Sequence, residues 1–166
     1  MTHTQELQNK TNIIDGKPLK ICFVCTGNTC RSPMAMAVLN HYGKNNYVAE
    51  SAGIMADSGA PITPKASTAL KNSGIQSTPD NNYDSHTARQ LTPEIMEECD
   101  RIVAVGPGHA MMIIQAFPQY ASKVTSFDEN ITDPFGQSQE VYDKCLSDII
   151  KAIKHTFVLD INNDNE

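Results

Sequence analysis

The sequence predicts an α/β fold, a three-layer sandwich in which a four-stranded parallel sheet is flanked by helices. Short β-rich apolar segments alternate with segments of helical pattern from Leu19 onward. This alternation favours parallel strands that are joined by right-handed crossovers, with helices on both faces of the sheet. Ligands bind such sheets at the carboxyl ends of the strands. Residues that directly follow a strand are therefore the first candidates for a functional site.

Four segments are predicted as strands because they are short, apolar and rich in β-branched or aromatic residues. These segments are LKICFVC (19–25), YVAESAG (47–53), RIVAVG (101–106) and KVTSF (123–127). Five segments are predicted as helices, several with proline at the start and glycine at the end. The helical segments are 32–43, 63–74, 92–100, 108–117 and 138–157.

The last two predicted helices contain apolar residues that we expect to reach the core. Segment 138–157 is amphipathic. Its apolar side is predicted to consist of Val141, Cys145, Ile149 and Ile150. In segment 108–117, core positions rather than a ligand pocket are predicted for Met111, Met112 and Ile113.

The length of 166 residues is typical of one domain with a continuous core, which we place at residues 19–158. Residues 1–18 are polar and aperiodic, with Gly16 and Pro18 marking a break, so they are predicted as a flexible N-terminal arm. Residues 159–166 are predicted as a frayed C-terminal tail.

The net charge of −6 provides no global attraction for nucleic acid or for an anionic membrane surface, so we expect neither as a partner. The five cysteines are an odd number, and the N-terminal residues contain no apolar stretch of the kind found in signal peptides. No run approaches the roughly 18 apolar residues of a membrane-spanning helix. These features predict reduced thiols and a cytoplasmic location. The oligomeric state stays open.

The stretch CTGNTCRSP, residues 25–33, lies between the first predicted strand and the first predicted helix. Backbone N–H groups of a tight loop that enters a helix converge on one point, where the helix dipole also favours an anion. Gly27 permits a close approach of the backbone, and Arg31 provides a planar fork that matches two oxygens of a phosphate. The sequence therefore predicts that loop 25–31 binds a phosphoryl group.

The thiol of Cys25 would lie within the same electropositive loop, where the surrounding donors stabilise a thiolate. We therefore expect Cys25 to be a competent nucleophile. Ser32 has two interpretations, since its hydroxyl can donate a hydrogen bond to this sulfur or cap the following helix.

Other sites built on the same cysteines fit the sequence less well. A redox Cys-x-x-Cys pair of Cys22 and Cys25 would lie in an extended strand, beyond disulfide reach. A metal site at Cys22, Cys25 and Cys30 has no fourth ligand at suitable spacing, and Cys22 is predicted as core. A nucleotide-binding loop would need a Gly-Lys-Ser/Thr ending, which is absent. No metal and no cofactor are expected.

The stretch VCTGNTCRSP resembles the active-site signature of the low-molecular-weight protein phosphatases, in which Cys, five residues, Arg, Ser and Pro follow the first strand. The resemblance covers roughly residues 19–155. It includes SAG (51–53), SHTARQLT (85–92) and DPFG (133–136). The implied fold is the α/β fold predicted above, and the implied activity is hydrolysis of phosphorylated protein side chains.

The resemblance implies a role for each matching position. Cys25 would be the nucleophile, Arg31 the phosphate clamp and Asp133 the general acid, with a bell-shaped pH profile. Asn28 would brace the loop, with Ser51 and His86 as its partners. The remaining phosphate- or substrate-binding positions would be Thr26, Gly27, Thr29, Cys30, Ser32 and Phe135. Cys30 is expected either to be a small buried residue or to form a disulfide with Cys25 under oxidation.

The family contains phosphotyrosine and phosphoarginine enzymes, and two pocket positions favour phosphoarginine here. Tyrosine-directed members usually place a bulky aliphatic residue where this chain has Thr29, and follow Asp-Pro with two aromatic residues where it has Phe135 and Gly136. The segment SHTARQLT instead resembles the tyrosine branch. We therefore expect a phosphorylated protein as substrate, with phosphoarginine slightly favoured over phosphotyrosine.

Two other classes stay open at this point. An arsenate reductase has a similar loop but needs two further cysteines for a disulfide relay, and Cys99 and Cys145 are predicted to lie on helices. A catalytically silent phosphopeptide-binding module is the alternative that is not an enzyme, although nucleophile, clamp and acid are all present.

Overall fold

The computed structural model describes residues 13–14, 16–157 and 159, and its middle layer is a parallel sheet. The strands are β1 (Ile13–Ile14), β2 (Lys17–Cys25), β3 (Tyr47–Gly53), β4 (Arg101–Ala104) and β5 (Val124–Ser126). Strands β3, β2, β4 and β5 are parallel neighbours in that order. Strand β1 adds a short antiparallel pair at the start of β2, with Ile14 opposite Lys17. The predicted four-stranded parallel sheet is confirmed, and β2 begins two residues before the predicted Leu19.

Among the described residues, five α-helices lie between or after these strands, and each end lies within two residues of its predicted position. They are α1 (Arg31–Tyr42), α2 (Pro64–Asn72), α3 (Pro93–Glu98), α4 (Pro107–Ala116) and α5 (Gln139–Phe157). Two 3₁₀ helices, Tyr83–Ser85 and Pro118–Lys123, were not predicted. The start of α3 follows the sequence signal directly, because the Thr92 hydroxyl accepts a hydrogen bond from the N–H of Ile95 at 3.3 Å.

The side chains of the central strand β2 alternate between two apolar cores. Ile21 and Phe23 face a large core that is closed by α1, α2 and α5. Cys22 and Val24 face a smaller core that is closed by α3 and α4. Since both faces of the strand are buried, its sequence is a nearly continuous apolar run. This is the predicted three-layer sandwich, and Cys22 is a core residue as expected.

Two core predictions need correction. Met111 and Met112 are exposed, whereas Ile113 is buried as predicted. Helix α4 packs through Ala110, Ile113 and Phe117, positions three and four residues apart that share one side, so Met111 and Met112 point away from the core.

The buried side of α5 confirms the predicted one in part. It consists of Tyr142, Cys145, Leu146, Ile149, Ile153 and Phe157. Cys145 and Ile149 are buried as predicted. Val141 and Ile150 are only partly buried, because they lie at the margins of the stripe that the 3.6-residue period defines.

The predicted arm and tail lie mostly outside the described residues. Residues 1–12, 15, 158 and 160–166 are not described. Leu159 is partly buried, and its N–H donates a hydrogen bond to the carbonyl of Lys154 at 3.2 Å. Within the described ranges, no helix has the length and apolar character needed to cross a membrane.

Candidate active site

Loop 25–31 lies at the carboxyl edge of the sheet because β2 ends at Cys25 and α1 begins at Arg31. The chain after the neighbouring strand β3 holds the loop by main-chain hydrogen bonds. The N–H of Ile54 donates to the carbonyl of Cys25 at 2.9 Å, and that of Met55 to the carbonyl of Thr26 at 2.9 Å. The loop is therefore fastened to the sheet along one side.

Gly53, the last residue of β3, lies against the loop. A Cβ at this position would lie 2.6 Å from the carbonyl oxygen of Thr26 and 3.1 Å from the Cβ of Asn28. Because a backbone oxygen cannot rotate away as a flexible side chain can, no other residue fits without moving the loop. This close approach explains the glycine in the SAG segment.

Asn28 is the centre of the hydrogen bonds inside the loop. It is fully buried, and its φ of 59° is the one positive value at a non-glycine residue among the described residues. Its Nδ2 donates to Ser32 Oγ at 2.8 Å and to Ser51 Oγ at 2.9 Å, while its Oδ1 accepts from the N–H of Arg89 at 3.0 Å. His86 Nε2 lies 2.8 Å from its carbonyl oxygen. These contacts hold the left-handed backbone that curves the loop.

The sulfur of Cys25 lies among donors of the same loop. The N–H of Asn28 points at Sγ with N···S 3.3 Å, and Ser32 Oγ lies 2.9 Å from it. Ser32 Oγ accepts from Asn28, so its own proton is free to point to Sγ or to the carbonyl of Ala52, which is 3.5 Å away. Helix α1 has no side-chain cap. The shorter distance favours the bond to sulfur, the first of the two interpretations of Ser32.

Arg31 and Asp133 form an ion pair at the edge of the loop, with Nη2 3.5 Å from Oδ2. Nη1 of Arg31 donates to the carbonyl of Ile131 at 3.1 Å. The arginine side chain is 10% exposed and the aspartate side chain is 55% exposed. Asp133 Oδ1 also accepts from the N–H of Phe135 at 3.2 Å, and the ring of Phe135 is exposed. The carboxyl group is thus held over the guanidinium by the turn that follows it.

His86 is held in its neutral form by its surroundings. Burial lowers its pKa most, the hydrogen bond with the Asn28 carbonyl raises it, and the positive charge of Arg89 lowers it further, so the net shift is downward. A neutral ring with its proton on Nε2 donates to the Asn28 carbonyl.

His109 contacts the loop from helix α4 and was not predicted from the sequence. It lies in the first turn of α4, and its Nε2 is 3.0 Å from the hydroxyl oxygen of Thr26. Its pKa is lowered by burial and by the charge of Arg31, against an opposing effect of Asp133. The segment GPGH (106–109) begins two residues after the end of β4, a neighbour of β2. Its place at the same sheet edge was the signal that could have identified His109.

Cys30 is buried at the end of the loop and is supported by two further residues that were not predicted. Its Sγ lies 3.0 Å from Thr63 Oγ1 and 3.4 Å from the hydroxyl of Tyr142. Burial and the neighbouring Cys30 raise the pKa of Tyr142, which keeps its hydroxyl protonated. The cysteine is reduced here, as are the other four.

The remaining cysteines belong to the packing of the fold. Cys99 is the residue after the end of α3 rather than within a helix, and its thiol donates to Glu50 Oε1 at 2.8 Å. Burial raises the pKa of Cys145, on α5, to about 12. Among the residues the structure describes, no three His, Cys, Asp or Glu side chains are grouped as metal ligands.

Comparison with known proteins matches residues 20–165 to the family model described as low molecular weight phosphotyrosine protein phosphatase. A protein-arginine-phosphatase of Geobacillus stearothermophilus is 37% identical, with 75% of this chain and 84% of the relative covered. A protein-arginine-phosphatase of Bacillus subtilis (strain 168) is 33% identical, with 82% and 93% covered.

The crystal structure of a low molecular weight protein tyrosine phosphatase from T. tengcongensis superposes with a TM-score of 0.77 at 31% identity, covering 84% of this chain and 98% of that one. Fold and sequence likeness agree over nearly the whole described chain. The chain therefore belongs to the low molecular weight phosphotyrosine protein phosphatase family and is a protein phosphatase.

Proposed function

We propose that the protein hydrolyses phosphorylated protein side chains through a phosphocysteine on Cys25, with phosphoarginine preferred over phosphotyrosine. One observation carries the proposal: the Cys25 sulfur lies against the Asn28 N–H and the Ser32 hydroxyl, in a loop whose last residue, Arg31, pairs with Asp133. Nucleophile, clamp and acid thus meet at one edge of the sheet.

In the first step the Cys25 thiolate attacks phosphorus, the bond from phosphorus to the leaving group breaks, and Asp133 gives the leaving group its proton. The two donors at Sγ stabilise the thiolate before attack. Arg31 and the loop N–H groups stabilise the charge on the transferring phosphoryl oxygens. Catalysis here is mainly positioning and charge stabilisation.

The ion pair of Arg31 and Asp133 places the acid beside the phosphate clamp. In the free enzyme the carboxylate lies 3.5 Å from the guanidinium. The group that gives the proton therefore lies next to the group that would hold the phosphoryl oxygens.

In the second step a water molecule attacks phosphorus, and the bond between sulfur and phosphorus breaks. Asp133, now a carboxylate, accepts the proton of this water, and Cys25 leaves as a thiolate. Inorganic phosphate is released. The two steps need no metal and no cofactor.

The preference for phosphoarginine rests on the wall of the pocket. Thr29 offers a hydroxyl rather than an aliphatic group, and Phe135 offers one exposed ring on which a guanidino group can stack. Two relatives named as protein-arginine-phosphatases, at 37% and 33% identity, support the same branch. The substrate would be a phosphorylated protein, and a cytoplasmic location stays a prediction.

Parallel assays on a phosphoarginine protein and a phosphotyrosine peptide test the preference. We expect a higher kcat/KM on phosphoarginine, and we expect Thr29→Ile to reverse the ranking. Thr68→Ile, an exposed position on α2, is the matched control and should leave the ranking unchanged. A higher kcat/KM on phosphotyrosine in the unsubstituted protein would contradict the preference.

The mechanism is tested by two substitutions. Cys25→Ser should abolish turnover while phosphate binding is kept, because the loop N–H groups and Arg31 remain. Asp133→Asn should lower turnover by about 100-fold or more and change the basic limb of the pH profile. Turnover that survives in Cys25→Ser would show that another residue is the nucleophile. Phosphate binding without turnover in the unsubstituted protein would indicate a binding module instead.

A further inference from the structure

His109 has no part in the two steps above, yet its ring lies against the loop that would hold the phosphoryl group. Strand β4 is hydrogen-bonded to β2, so the turn after β4 and the start of α4 come to the same edge as loop 25–31. There His109 Nε2 lies 3.0 Å from Thr26 Oγ1. Thr26 directly follows Cys25, so this contact is made one residue from the reactive sulfur.

The charges around His109 come from different elements of the fold. The guanidinium of Arg31, at the start of α1, and the carboxylate of Asp133, in the segment before α5, both act on the ring. Cys25 and Cys30 also belong to the loop, and His86, Arg89 and Tyr142 contact it. With the ring partly buried and a guanidinium nearby, its pKa is lowered, which favours neutral imidazole in the free enzyme.

A bound oxyanion changes this balance. Two negative charges in the loop offset the field of Arg31, and they favour a positive charge at any nearby group that can accept a proton. In the imidazolium both ring nitrogens are donors, so Nε2–H donates to Thr26 Oγ1. The 3.0 Å contact then holds the added charge at the edge of the loop.

We propose that His109 is a positioning residue that takes up a proton when loop 25–31 binds a phosphoryl group, and that it then holds Thr26 by a hydrogen bond from Nε2–H. This inference rests on the proposed function, since it assumes that the loop binds an oxyanion. By linkage, an anion that raises the proton affinity of His109 is bound more tightly by protonated than by neutral His109. Anion affinity therefore falls as the pH rises through the titration of His109.

The test uses sulfate, which stays a dianion across the range studied, and the Cys25→Ser protein, in which the thiol no longer titrates. Sulfate affinity is measured by calorimetry between about pH 5 and about pH 8, where histidine changes charge. Sulfate affinity should fall over this pH range in both the Cys25→Ser protein and the Cys25→Ser/His109→Gln protein. We expect the fall to be about 5-fold or more larger when His109 is present, a size typical of coupled sites. Asp133 and His86 are present in both proteins, so the difference reports His109 alone.

A matched control and a second measurement complete the experiment. His155→Gln removes an exposed histidine that pairs with Asp128, and it should leave the pH dependence of sulfate binding unchanged. The ring resonance of His109 in the Cys25→Ser protein gives the titration without any change at residue 109. Its midpoint should rise when sulfate saturates the loop.

The possible failures are distinct. Equal pH dependence with and without the His109→Gln substitution, or a His109 midpoint that sulfate does not move, would overturn the role of His109 while leaving the proposed phosphatase chemistry intact. No sulfate binding at any pH would instead remove the phosphate site on which both proposals rest.

Discussion

The main-chain N–H of Arg89 donates a 3.0 Å hydrogen bond to the side-chain oxygen of Asn28, 61 residues earlier in the chain. The guanidinium of Arg89 is fixed in turn, since its Nε donates to the carbonyl of Ser51 at 2.9 Å and its Nη2 lies 3.1 Å from Glu50 Oε2. The curvature of loop 25–31 therefore depends on a distant segment that is anchored to β3.

Asn28→Ala should lower both kcat/KM and stability, whereas a substitution of similar cost away from the loop should lower stability alone. The substitution removes three hydrogen bonds of the side chain and leaves an alanine at a φ of 59°. At about 1 kcal/mol for each bond, plus the cost of a left-handed alanine, we expect a loss of about 4 to 5 kcal/mol in the free energy of unfolding. Activity should fall by about 100-fold or more, because the N–H groups of the loop are no longer held in place. Steady-state kinetics at saturating and limiting substrate measure it.

Asn40→Ala is the matched control for this prediction. Asn40 Nδ2 donates to the carbonyl of Ala49 at 3.0 Å, and its Oδ1 accepts from the Ala49 N–H at 2.8 Å, but it does not contact the loop. It should lower stability by about 1 to 3 kcal/mol and keep nearly full activity. Equal activity losses in both variants would contradict the role given to Asn28.

Gly53→Ala should damage the site, whereas Gly108→Ala should not. The new methyl group at position 53 would lie 2.6 Å from the carbonyl of Thr26, so either β3 or the loop must move. At Gly108 the same methyl group meets nothing within 4 Å. We expect a large loss of phosphate affinity for the first variant and little change for the second, measured by calorimetry. Unchanged phosphate affinity in Gly53→Ala would show that the loop does not depend on this close approach.

The position of the loop was predictable from the order of strand and helix, and the partners of Asn28 were predictable from the family resemblance. The residues CTGNTCRSP lie between a strand and a helix, so geometry places them at the sheet edge, and the resemblance supplied Asn28, Ser51 and His86. The contacts of Cys30 were not predictable in this way. Thr63 and Tyr142 lie 33 and 112 residues away, and neither belongs to a recognisable pattern.

The exposed methionines show that the apolar character of a side chain does not by itself predict its burial. Met111, Met112 and Ile113 are all apolar, but only one side of α4 faces the sheet. Which side that is depends on how the turn after β4 enters the helix. The same turn also determines that His109 reaches Thr26, so one local geometry explains both the wrong core prediction and the missed site residue.

His86 should make the folded protein less stable at mildly acidic pH. Burial and Arg89 outweigh its hydrogen bond and lower its pKa in the folded state below the ordinary value of 6.5. The unfolded chain therefore binds the proton more readily, so this stabilising contribution is full above pH 6.5 and is lost as the pH falls from there toward the folded-state pKa. His109 contributes with the same sign.

Thermal unfolding midpoints at about pH 7.5 and about pH 5.5 test this dependence on either side of the histidine range. His86→Gln keeps an N–H donor for the Asn28 carbonyl but does not titrate, so the fall in midpoint between the two pH values should be smaller. His155→Gln, at an exposed position, should show the same fall as the unsubstituted protein. A fall that His86→Gln leaves unchanged would rule out this source of acid sensitivity.

Lys123 should stabilise the fold away from the site, and its removal should leave catalysis intact. Its ammonium group donates to the carbonyl of Met96 at 3.0 Å, of Glu97 at 2.9 Å and of Cys99 at 3.0 Å, so it satisfies the C-terminal carbonyls of α3. Lys123→Met keeps the aliphatic stem and removes these bonds. We expect a loss of about 1 to 3 kcal/mol in the free energy of unfolding, measured with denaturant, because the carbonyls lose charged donors.

Lys144→Met removes only an exposed pair with Asp148 and should cost about 0.5 kcal/mol or less. Both variants should keep the kcat/KM of the unsubstituted protein, and equal stabilities would show that the Lys123 ammonium adds nothing beyond a surface charge.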